Sequence, residues 1–87
     1  MNFKAVQELC SIAMRHADAL YTAYDTVEPE NLSPSNYEGD GESFAFAWSE
    51  EISEESKATF ANSGDAQAIF LGAFWAEIES LQGGKKP

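Results

Sequence analysis

Phe3, Val6, Cys10, Ala13, Ala17, Leu20 and Tyr24 recur at alternating spacings of three and four residues. That is the period of one face of an α-helix, so residues 3–24 are predicted to form an amphipathic helix. Asn2 is placed to cap its first turn. Lys4, Gln7, Glu8, Ser11, Arg15 and Asp18 fall mainly on the opposite side. Leu9, Met14 and Tyr21 widen the apolar stripe beyond a coiled-coil seam, so the helix is read as facing a core. Pairing with a second copy in a homodimer is the alternative use of the same stripe.

The periodicity then stops. Residues 25–42 contain Pro29 and Pro34, the backbone competitors Asn31, Ser33, Ser35 and Asn36, and the turn signal Gly39-Asp40-Gly41, and they read as an acidic loop. A connection of that length without regular structure is often functional or mobile. In residues 43–49 Phe44, Phe46 and Trp48 alternate with Ala45 and Ala47, the pattern of a half-buried strand. Residues 57–62 can pair with it as a hairpin, Glu50 to Ser56 forming the turn. The rival reading makes residues 53–62 a short helix capped by Ser53.

A last helix is predicted from Asp65, as N-cap, to about Gln82. Its apolar face carries Phe70, Phe74, Ile78 and Leu81, with Leu71 and Trp75 beside them, and Ile69 lies to one side with Ala73 and Ala76. Gly83-Gly84 supplies the stop, leaving 83–87 as a tail. The expected fold is therefore α+β: long helix, acidic loop, hairpin, helix, in one domain of 87 residues. An all-α three-helix domain is the alternative.

Composition permits a packed core but not a large one. Aromatic residues make up 13% of the chain, which argues against global disorder, and ten of the 11 lie between Tyr21 and Trp75. Reaction chemistry lacks its parts. One histidine, His16, and one cysteine, Cys10, cannot build a zinc site and do not face each other on a helix. A lone cysteine also forms no internal disulfide, which fits a reducing compartment. Asn36, Glu38, Asp40 and Gly41 echo the start of a calcium loop, but its twelfth position is Ala47 where a glutamate is required. No phosphate-binding glycine loop is present, nor the Asp-Ser-Leu motif of acyl carrier proteins. Leu81-Gln82-Gly83-Gly84 is like a ubiquitin-type C-terminus, but that fold begins with a hairpin. The expectation is a non-enzyme without metal or cofactor. The N-terminus carries no basic-then-apolar signal pattern, and the apolar run from Ala68 to Ala76 is too short for a membrane span.

Charge adds the most. Fifteen acids face five bases, a net charge of −10. Such a field repels nucleic acid and anionic membranes and steers basic partners toward it. The acids are also segregated. From residue 16 to 56 there is no lysine or arginine, and 11 of the 15 acids lie there: Asp18, Asp25, Glu28, Glu30, Glu38, Asp40, Glu42, Glu50, Glu51, Glu54 and Glu55. Like charges crowded within a Debye length, about 8–10 Å, work against folding, and solubility alone does not require the crowding. These acids are the expected partner contacts, and Tyr37 among them is the expected aromatic anchor.

Small size, strong acidity, absent catalytic residues and the predicted layout together resemble small phage-encoded anti-defence proteins of the anti-CRISPR and DNA-mimic type. The resemblance is one of composition over the whole chain, and no residue's role is carried across by it. It implies an inhibitor in the cytoplasm of a bacterial host cell. Such an inhibitor would dock on a basic nucleic-acid-binding surface of a host protein or nucleoprotein complex and block substrate access. The alternative is an interaction module, such as an antitoxin, immunity or adaptor protein, that docks through apolar helix surface around Ile69.

Overall fold

The computed structural model describes residues 3–23 and 28–85. Among them there is no strand. The elements are α1 (Phe3–Ala23), a 3-10 turn (Pro29–Asn31), α2 (Asp40–Phe46), a π-helical turn (Ala47–Glu51), α3 (Glu54–Thr59) and α4 (Ser63–Lys85). The fold is all-α, and the hairpin expected over 43–49 and 57–62 does not exist. The alternation of Phe44, Phe46 and Trp48 hides a second period: Phe44 and Ala47 are buried and Trp48 is half-buried, at i, i+3 and i+4, while Phe46 points outward. The alanines between the aromatics are strong helix formers. Asp40 and Glu42 in the first turn of α2 complement its dipole. In α3 the helix reading holds: the Ser53 hydroxyl accepts from the Ser56 amide at 3.2 Å, and the helix ends at Thr59.

The helices α1 and α4 run side by side in the same direction. His16 meets Phe70 with ring centroids 6.0 Å apart, Asp18 lies beside Glu77, and Tyr21 shares a cavity wall with Leu81. Between them the chain returns the other way, Tyr37 lying beside Phe74, Phe44 beside Phe70, Glu51 beside His16, and Ser53 beside Glu8. The molecule is an up–down–up bundle whose middle arm is broken into α2, the π-helical turn and α3. Its extents are 41 × 22 × 19 Å.

The central helix is α4. Ala66, Phe70, Phe74 and Ile78, each four residues apart, are 0–1% exposed. It begins earlier than expected, capped by Asn62, whose side-chain oxygen accepts from the Asp65 amide at 3.1 Å. It also continues through Gly83 and Gly84 to Lys85. In α1 the apolar stripe is turned from its expected centre. Ala5, Leu9, Ile12, Ala13, Ala17 and Tyr21 are buried, Val6, Cys10 and Leu20 only half-buried, and Phe3 is exposed. The helix has two neighbours, α4 and the arm, and its inward line bisects them. Asn2 and Tyr24, expected at its two ends, lie outside the described residues.

Six aromatic rings join the arm to α4 in a continuous file: Tyr37, Phe74, Phe70, Phe44, Trp48 and Phe60, each 5.5–6.5 Å from the next. Contacts of this geometry are worth about 0.5–1.5 kcal/mol beyond their buried area. The segment expected to be a free loop is tied to the same helix. Leu32 is buried, and the Gln82 side-chain amide donates to the carbonyls of Pro29 (3.1 Å) and Leu32 (2.8 Å).

Candidate protein-docking face

The arm decides where the acids go. Its inward positions are taken by Phe44, Ala47, Ile52 and Ser56, so most of its acids are left on the solvent side. Glu38, Glu42, Glu50, Glu54 and Glu55 are exposed there. They follow the arm from the level of Phe74 down to α3, and Lys57 pairs with Glu54 at 3.3 Å as a cation on that ridge. Glu28, which precedes the 3-10 turn, and Glu30, within it, are also exposed, at the opposite end of the molecule. Asp18 is exposed on α1 near that end, and Asp25 lies outside the described residues.

Two of the expected contact acids on the arm are committed internally. Asp40 accepts the indole N–H of Trp75 at 2.7 Å through one oxygen and the Gly41 amide at 2.8 Å through the other. Glu51 reaches His16 Nε2 at 2.5 Å and Arg15 Nη2 at 3.3 Å, locking the π-helical turn to α1. The π-helical turn supplies the register, since its i→i+5 bond from Ile52 to Ala47 (2.8 Å) adds a residue to the turn. Tyr37 is likewise not a protruding anchor. Its ring is half-buried, stacked on Phe74 and edge-on to Trp75. A Cβ on Gly39 would collide with the Tyr37 hydroxyl, so the close approach of ring and backbone requires glycine there.

Among the described residues, two carboxyl groups have displaced proton affinities. Glu8 is held below the usual carboxylate range chiefly by the Ser53 amide, which donates to it at 2.9 Å; partial burial opposes this, and the hydroxyls of Ser56 and Ser53 add to the lowering. Glu77 is pushed up, first by its hydrogen bond with Asp18, then by burial and by the Asp18 charge. The α1–α4 seam therefore carries a like-charged pair.

Two of the calcium-like residues are occupied otherwise. Asn36 accepts the Ser33 amide at 2.9 Å and donates to the Asn31 carbonyl at 2.8 Å, and Asp40 is spent as described. Among the described residues no three His, Cys, Asp or Glu side chains converge, and no helix is long and apolar enough to cross a membrane.

Sequence reasoning missed two features. One is the Arg15–His16–Glu51 cluster, whose partners lie 35 residues apart and leave no local trace. The other is Phe46, 55% exposed with its ring against His16, which only a helical reading of residues 40–51 would have turned outward. At the far end of the arm, Thr59, Phe60, Ala61, Asp65, Ala68 and Ile69 line a shallow groove of about 470 Å³. No protein-family model matches the chain, and comparison with curated proteins and with solved structures finds no match either.

Proposed function

We propose that this protein is a non-catalytic inhibitor acting in the cytoplasm of a bacterial host cell. It docks its acidic arm on the basic, nucleic-acid-binding surface of a host enzyme or CRISPR effector and so blocks substrate access. The observation that carries this reading is the run of exposed Glu38, Glu42, Glu50, Glu54 and Glu55 along one arm of an elongated body. Over 41 Å a DNA duplex displays roughly 24 phosphate charges, at about one per 1.7 Å. A net charge of −10 gives less than half that density. The protein competes for a basic groove by charge, and apolar contact must supply part of the affinity.

The test begins with partners captured from a bacterial lysate at low and high salt, followed by competition of the purified partner with its nucleic acid. Changing Glu38, Glu42 and Glu50 together to lysine should slow association by about tenfold or more at low salt, and the difference should shrink at high salt. Glu79→Lys, at an exposed position of α4, should do much less. A partner that holds its nucleic acid and this protein together without mutual weakening overturns the reading.

The groove beside Ile69 favours a second reading, an adaptor or antitoxin-like module that binds an apolar segment. Binding through it would be nearly indifferent to salt and would be lost in Ile69→Asp.

A further inference from the structure

Phe46 is one of three large apolar side chains standing in solvent among the described residues, with Phe3 and Met14. A lone exposed aromatic is ordinary on a protein surface. The surroundings of this one are not. Phe44 and Ala47 fix it outward by taking the core positions of the same turn. Glu42 lies four residues before it and Glu50 four after, both exposed, so carboxylates flank the ring about one turn away along the arm in either direction. One edge of the ring rests on His16, 6.3 Å between centroids. Beyond His16, Glu51 already holds a guanidinium, that of Arg15, at 3.3 Å.

An aromatic face bordered by carboxylates attracts cations through both the ring quadrupole and the charges. Guanidinium and ammonium differ here. The guanidinium is planar, stacks on a ring, is weakly hydrated, and can fork onto a carboxylate with two parallel bonds. The ammonium keeps its water and gains little from the ring. We infer that Phe46, flanked by Glu42 and Glu50, is the anchor of the docking face and receives an arginine side chain of the partner protein. This rests on the acidic-docking reading and names the chemistry at its centre.

The probes are oligo-arginine and oligo-lysine peptides of equal length, titrated into isotope-labelled full-length protein at low and moderate salt. Wild type should prefer oligo-arginine by about two- to fivefold, with the largest arginine-specific shifts at the Phe46 ring. Phe46→Ala should bind both peptides equally with the salt dependence intact, and Phe46→Tyr should keep the preference. Glu42→Gln with Glu50→Gln should weaken both peptides. Phe46 is exposed, so its variants should keep the wild-type circular dichroism. If the arginine preference survives in Phe46→Ala, or is absent from wild type while binding stays salt-sensitive, the anchor is wrong and the docking reading stands. If neither peptide binds wild type, both fall.

Discussion

The α1–α4 pair and the arm between them share one core but are held in it by different means. The long helices meet through a four-residue repeat of wholly buried side chains on α4 against Leu9, Ala13 and Ala17 of α1. Each has five or more turns over which propensity and burial accumulate. The arm is three one-turn or two-turn pieces, too short to persist alone, and is fixed by a ring file and a few tethers: Asp40 to Trp75, Glu51 to His16 and Arg15, and Ser53 to Glu8. Placing the charged face on the weaker of the two regions leaves the stronger one to carry the fold.

Phe70→Ala strikes the shared centre and should have the largest effect. The side chain is fully buried and touches His16, Phe44 and Phe74. Truncation should cost about 3–5 kcal/mol in chemical denaturation. A loss below 1 kcal/mol would mean that the ring file is not the core.

Gly39→Ala tests the arm alone. The new methyl must displace the Tyr37 ring from Phe74, and a loss of about 1–3 kcal/mol is expected. Hydrogen exchange should quicken in residues 33–46 more than in α1. Uniform quickening would show that arm and pair open as one unit.

Ser53→Ala removes the α3 cap and one of the contacts to Glu8, and should cost about 0.5–2 kcal/mol. The pH response sharpens this. The folded-state pKa of Glu8 is lowered, so its contribution is present above the unfolded carboxylate value, about 4.3, and is lost as pH falls through the folded value. Ser53→Ala keeps the backbone amide that chiefly lowers Glu8 and loses only the hydroxyl contact, so its loss of stability on acidification should be only slightly smaller than that of wild type.

Glu77→Gln probes the long-helix seam and should have the smallest effect, of opposite sign. The folded pKa of Glu77 is raised, so its contribution is full below the unfolded value and lost as pH rises through the folded one. At neutral pH the glutamine amide can donate to Asp18 permanently. The variant should melt slightly higher than wild type at pH 7 and match it near pH 4. A lower midpoint at pH 7 would show that the Asp18–Glu77 contact is no burden.

The sequence by itself determined the two long helices and the buried line of α4, because a period of 3.6 repeated over many turns has one low-energy solution. It also determined that the stretch between Arg15 and Lys57 would carry the acids, since charge needs no fold to be counted. Only the tertiary structure decided the rest. Residues 43–49 fit both a strand and a helix over so short a run, and the choice went to the helix when Phe44, Ala47 and Trp48 found α4 and α3. The α1 stripe turned toward Leu9 and Ile12 because the helix had to serve two neighbours. Tyr37, Asp40 and Glu51 were drawn inward by Phe74, Trp75 and His16, each more than 30 residues away. Pairings at that separation are set by how the helices pack, and no local spacing records them.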